Sequence, residues 1–188
     1  LSLRRQRQMC IRDRYTNFET LELNDGVAVD MDNVTGSTIT AVVIEDAAGT
    51  TAVTDMNATQ AANVTIDALA GAATLGIKNA SNVGQQDTLN ITVSDGDSTG
   101  SEGIAGTGNL TTTGIETINI TATDDITLAA MTGMTGIQSL TATGGGDVSV
   151  TSGALALGTN VGIDFSGLTA ATTLNMSAAT TNPFAFTG

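Results

Sequence analysis

The chain has 188 residues, with 19 acidic against 6 basic side chains, one cysteine, no histidine and no tryptophan, for a formal charge of −13. Histidine-dependent catalysis and a Cys/His zinc site are excluded because their ligands are missing. No apolar run approaches the ~18 residues of a membrane-spanning helix, and so acidic a surface repels nucleic acid and anionic lipid while attracting multivalent cations.

Residues 1–14, LSLRRQRQMCIRDR, differ from everything after them. They hold Arg4, Arg5, Arg7, Arg12 and Arg14, five of the six basic residues, together with Cys10. The run from Arg4 to Arg14 resembles a translated transposon-end sequencing adapter, and its first ten residues, back-translated as CGT CGG CAG CGT CAG ATG TGT ATA AGA GAC, match it codon by codon. The alternative, a basic targeting segment, lacks the apolar region that should follow, since TNFETLELND reads as a strand. The segment is therefore taken as non-native, and the fold is read from Tyr15. Without it, 18 acidic residues face Lys78 alone, a formal charge of −17 over residues 15–188. With no cysteine left, stability must come from stacking or from metal. Residues 15–188 are expected to be one elongated β-repeat domain, an internal fragment of a longer protein.

Short period-2 runs fill the chain. Leu21 and Leu23 form the first, Val27, Val29 and Met31 the second, and Ile39, Ala41 and Val43 the third. Asn24-Asp25-Gly26 is a turn between the first two. Val53 marks a short strand inside residues 46–63, whose Ala-rich part also suits a helical turn. Val64, Ile66 and Leu69 follow, then Leu75 and Ile77, then Leu89, Ile91 and Val93. A Gly-rich acidic loop, SDGDSTGSEGIAGTG, spans 94–108. Beyond it the repeat is plainest. Ile118 and Ile120 recur 22 residues later as Leu140 and Ala142, and Ile126 and Leu128 as Val148 and Val150. Leu155 and Leu157, Val161, Ile163 and Phe165, and Leu174 and Met176 continue the pattern. MTGMTGIQSL (131–140) aligns without a gap to FSGLTAATTL (165–174), which predicts equivalent tight corners leading into a strand.

A unit of about 20–34 residues with two or three short strands cannot bury both its faces alone. Stacked on its neighbours it makes parallel sheets around one narrow apolar core. The predicted class is therefore all-β, a parallel β-solenoid (β-helix) of stacked coils. An antiparallel β-sandwich is the alternative, because short strands and turn residues fit that as well.

FETLELN (18–24), DTLNITVSDGD (87–97), GIETINITATDD (114–125) and QSLTATGGGD (138–147) resemble the repeats of calcium-dependent bacterial surface-layer proteins. More broadly they resemble type I-secreted repeat-in-toxin proteins and adhesins. The glycine-rich nonapeptide of those repeats is present only in degenerate form, Gly144-Gly145-Gly146-Asp147-Val148. The resemblance implies a β-solenoid, calcium-dependent folding or assembly, and an extracellular, cell-surface location. It implies a structural building block of a surface layer, or alternatively a repeat module of a large secreted adhesin, with no catalytic activity. The partners it implies are calcium and either further copies or neighbouring domains of the same chain, and no nucleic acid.

Calcium takes six to eight oxygen ligands at ~2.3–2.6 Å. Asp95, Asp97 and Glu102, with Ser98 and Ser101, share one Gly-rich loop and are the first candidate site. Asp124 and Asp125 are the second, because in-register stacking brings them within about one strand spacing, ~4.8 Å, of Asp147. Asp25, Asp30 and Asp32 are weaker candidates of the same kind. Glu19 and Glu116 share the parity of Leu21 and Ile118, which places them at coil ends, where a carboxylate accepts corner N–H groups or holds an ion. A Glu116–Asp124 pair as in glycosidases is disfavoured, since no aromatic platform accompanies it.

Overall fold

The computed structural model describes residues 18–24, 26–35, 38–45, 49–67, 69, 71–82, 84–94, 104–132, 136–150, 162–174 and 185–188. Residues 1–14 lie outside this set.

Each coil contributes one strand to each of two sheets. The first coil runs from β1 (Thr20–Asn24) to β2 (Ala28–Asp30), the second from β3 (Ala41–Glu45) to β4 (Thr50–Met56), and the third from β5 (Val64–Ile66) to β6 (Ala72–Ile77). Then come β7 (Thr88–Val93) and β8 (Ile104–Thr112), β9 (Thr117–Ala122) and β10 (Ile126–Thr132), and β11 (Ser139–Gly144) and β12 (Val148–Val150). The last described strands are β13 (Gly162–Leu168), β14 (Thr172–Leu174) and β15 (Ala185–Thr187). Among the described residues the odd-numbered strands form an eight-stranded sheet in chain order, and the even-numbered strands a seven-stranded sheet. Every pairing among them is parallel. The fold is a parallel β-solenoid, and the antiparallel sandwich is excluded.

The 22-residue repeat is a literal register. Ile118 stacks on Leu140 and Ile120 on Ala142 in the first sheet, and Ile126 stacks on Val148 and Leu128 on Val150 in the second. All eight are buried, within one apolar cluster that runs between the sheets. At ~1.5–3 kcal/mol for each fully buried Leu, Ile or Val, these columns are the main favourable term in stacking the coils. Coil length is uneven. Thr20 and Ala41, 21 residues apart, are partners, as are Leu89 and Ile118, 29 apart. On the second sheet Ala72 pairs with Asn109, 37 residues away. That coil is longer than the expected upper limit, and its sequence includes the Gly-rich acidic residues 94–103.

Two readings of the sequence are corrected. In AVVIE (41–45) it is Val42 and Ile44 that are fully buried, not Ala41 and Val43. Apolar residues occupy both parities there, and stacking Leu21 on Val42 and Leu23 on Ile44 decides between them. Ile39 remains buried, but before the strand begins. The aligned segments 131–140 and 165–174 are also not equivalent corners. The first leads from β10 in the second sheet to β11 in the first, the second from β13 in the first sheet to β14 in the second. Leu174 accordingly stacks on Val150 rather than on Leu140.

The Ala-rich stretch supplies one helical turn, α1 (Ala58–Ala61). Asn57 starts it with a capping box, its Oδ1 accepting the Thr59 and Gln60 N–H groups while Gln60 Oε1 accepts the Asn57 N–H. Buried Gln60 also donates through Nε2 to the Ile39 carbonyl at 3.1 Å, tying the turn to the preceding coil. A buried amide is tolerable there because its partners are all in place.

Candidate functional site

Glu19, Glu116, Asp124, Asp125 and Asp147 sit at corners, where the chain leaves one sheet for the other and backbone groups lose their ladder partners. Such groups must find another acceptor or face water. At the corner before the second sheet, Asp125 and Asp147 are register neighbours, one residue ahead of the Ile126–Val148 pair. Asp125 Oδ1 accepts the backbone N–H of Asp147 at 2.9 Å. Asp147 Oδ1 in turn accepts the backbone N–H of Ala171 at 2.9 Å. Each carboxylate thus caps the next coil, and one oxygen of each is left for solvent or an ion.

This corner is tight on its inner side. Asp124 is buried, 4% exposed. A Cβ on Gly146 would lie 2.1 Å from the Asp124 carbonyl oxygen, and one on Gly144 (φ +121°) 2.1 Å from that of Ala122. A Cβ on Gly145 would meet nothing closer than Thr169 Oγ1 at 3.8 Å. Two of the three glycines are therefore required by the approach of the preceding coil, and the middle one is not.

Asp95, Asp97 and Glu102, and with them Ser98, Ser101 and Asp25, lie outside the described residues. Asp30 and Asp32 are engaged elsewhere. Asp30 accepts the Asp32 N–H at 2.9 Å and an Asn33 side-chain N–H at 2.6 Å, closing a 3₁₀ turn over Met31–Asn33. Asp32 pairs with Lys78 at 2.6 Å on the surface. Among the described residues no group of three or more His, Cys, Asp or Glu side chains is placed to hold a metal ion.

At the corner before the first sheet, Asp87 and Glu116 are register neighbours, one residue ahead of Thr88 and Thr117. Glu116 Oε2 accepts the Asp87 backbone N–H at 2.8 Å. Glu19, at the same place in the first coil, is exposed. Asp87 was not singled out by the sequence reading, although aligning DTLNIT (87–92) with ETINIT (116–121) would have placed it beside Glu116. Its Oδ2 is buried and has no hydrogen-bond partner among the described residues. Burial first, and the Glu116 charge second, hold the Asp87 carboxyl above the usual range. Beside Glu116 opens a cleft of about 410 Å³, whose lining residues include Asn82, Gln85, Gln86 and Gln138. Glu116 and Asp124 flank β9, whose six residues alone span about 20 Å at ~3.3 Å per residue. Paired glycosidase carboxylates stand no more than ~9.5 Å apart.

Fold and corners together define a two-sheet parallel β-solenoid repeat protein. No protein-family model matches the chain, and neither a curated protein nor a solved structure matches it. No helix among the described residues is long and apolar enough to cross a membrane.

Proposed function

We propose that this chain is a structural, non-catalytic β-solenoid block of a bacterial cell-surface layer, stabilised by calcium. The observation that carries this reading is the in-register stack of acidic coils. Residues 15–188 carry −17 with one lysine, and stacking brings Asp125 over Asp147 at one corner and Asp87 over Glu116 at another. Like charges at such spacing favour any cation that binds between or beside them. The proposed ligands are Asp95, Asp97 and Glu102 in the Gly-rich acidic stretch of the sequence, and the carboxylates of the Asp124, Asp125 and Asp147 corner.

An ion bound only by the folded chain stabilises it by roughly 2.7 kcal/mol at a hundredfold excess over Kd. Extracellular modules bind calcium at ~10⁻⁴–10⁻³ M. The test is thermal unfolding in chelator, in about 10 mM calcium and in equal magnesium, with calorimetry. Calcium should raise the midpoint more than magnesium does, and Asp95→Asn with Asp97→Asn should reduce that rise. No heat of binding, with the same midpoint in chelator and calcium, rejects the metal.

The cleft beside Glu116, with Asn82, Gln85, Gln86 and Gln138 among its lining residues, favours a second reading, a repeat module of a secreted adhesin. Binding to a panel of soluble glycans and peptides that Gln138→Ala weakens, with unfolding unchanged, would select it over the first.

A further inference from the structure

The outward positions of β7, β9 and β11 form a regular grid of uncharged polar side chains. Register stacks Thr88, Thr117 and Ser139 in one column. Asn90, Asn119 and Thr141 make the second column, and Thr92, Thr121 and Thr143 the third. Strand geometry sets stacked neighbours ~4.8 Å apart and adjacent columns about 6.6 Å apart.

The middle column is locked along the solenoid axis. Asn119 Nδ2 donates to Asn90 Oδ1 at 2.8 Å, and Thr141 Oγ1 donates to Asn119 Oδ1 at 2.7 Å. The six hydroxyls of the two outer columns have no protein partner among the described residues. Five of them belong to threonine, whose χ1 is restricted by its β-branch. No charged side chain occupies any of the nine positions, on a chain that is −17 over residues 15–188.

A hydroxyl both donates and accepts, so each outer position must be satisfied by water. Because the hydroxyls are fixed to a sheet, the water they hold repeats at the sheet's own spacing. The matching ligand is an uncharged, repeating surface that offers donors and acceptors at every lattice point. A sugar would more readily use an aromatic platform, and none of the nine positions is aromatic. We propose that this face binds ice, by carrying ordered water that joins the crystal. The grid measures about 10 Å by 13 Å at these spacings. An area so small predicts slowed ice recrystallisation rather than a large freezing-point depression.

The test is partition of the full chain into slowly growing ice, with recrystallisation followed in parallel, in calcium buffer and with folding checked by circular dichroism. Thr121→Tyr breaks the third column and Thr88→Tyr the first. Thr173→Tyr, an exposed position in β14 of the other sheet, is the control. The expected result is enrichment in ice by the parent chain and Thr173→Tyr, with at least a fivefold loss in each grid variant. Exclusion of the parent chain from ice to the same degree as an unrelated soluble protein overturns the proposal, as does equal partition of all variants. Neither result depends on whether calcium raises the unfolding midpoint.

Discussion

Glu116 holds the backbone of Asp87 and burdens its side chain. The Glu116 carboxylate accepts the Asp87 N–H at 2.8 Å, while its charge adds to the burial that keeps the Asp87 carboxyl above the usual range. An acid whose pKa is raised on folding binds more protons folded than unfolded, so stability falls as pH rises through that window. Asp87→Asn removes the charge and should melt higher than the parent at neutral pH. The gap should close as pH falls to the ordinary aspartate range, ~3.9. Melting curves from pH 3 to 8 decide it, and a gap that does not change with pH would mean Asp87 is not the titrating group.

Ile120→Asp and Leu140→Asp each place an unpaired charge in the core, where the parent side chains are 5% and 1% exposed. Each should unfold the middle coils, since such burial costs several kcal/mol. Asn119→Asp lies on the opposite parity and should leave the fold intact. It does remove the Nδ2 donor to Asn90, a loss of about 1 kcal/mol. Denaturant unfolding of the three variants separates these outcomes, and similar losses on both parities would contradict the inward and outward assignment.

The run Gly144-Gly145-Gly146 offers a sharper contrast. Alanine at 144 or 146 drives a methyl into a carbonyl oxygen of the coil before it, and should cost upward of about 3 kcal/mol, in the range of severe overpacking and strain. Alanine at 145 should be close to neutral. Unfolding midpoints of the three single variants check this ordering.

Asp125→Ala and Asp147→Ala remove the acceptors for the Asp147 and Ala171 N–H groups. A hydrogen bond to a charged group contributes ~1.5–3 kcal/mol, less where solvent competes. The expected signature is local. Amide exchange at Asp147 should speed in the first variant and at Ala171 in the second, ahead of any change in the core strands. Asparagine at either position keeps an oxygen acceptor and should restore most of the protection.

The sequence revealed the fold wherever apolar and polar residues alternate cleanly. Ile118, Ile120, Leu140 and Ala142 could be assigned to one face and one register because their neighbours are Thr and Asn. In AVVIE (41–45) that contrast is missing, and only the strand beneath it sets the parity. The likeness of 131–140 to 165–174 misled for a related reason. Corners on both sides of a coil need the same small and apolar residues, so composition does not say which corner is which. The hydrogen bonds of Asp125, Asp147 and Glu116 depend on which residues stack, and that is known only once the register is fixed. Asp87 was hidden because its neighbour is 29 residues away in the chain.

The carboxylate caps have a direction. Asp125 serves the backbone of the next coil at Asp147, and Asp147 serves the one after it at Ala171. At this corner a coil therefore closes on an acceptor supplied by the coil before it, much as each course of a wall rests on the last, whereas Glu116 at the opposite corner serves the coil before its own. The Asp125–Asp147 corner has a grain, running from the amino-terminal to the carboxyl-terminal end. Coils lost from the carboxyl-terminal end leave these earlier acceptors in place, whereas a coil lost from within strands the amide above it. A chain emerging amino-terminal end first, from the ribosome or through a pore, would present these coils in the order in which the Asp125–Asp147 corner can close.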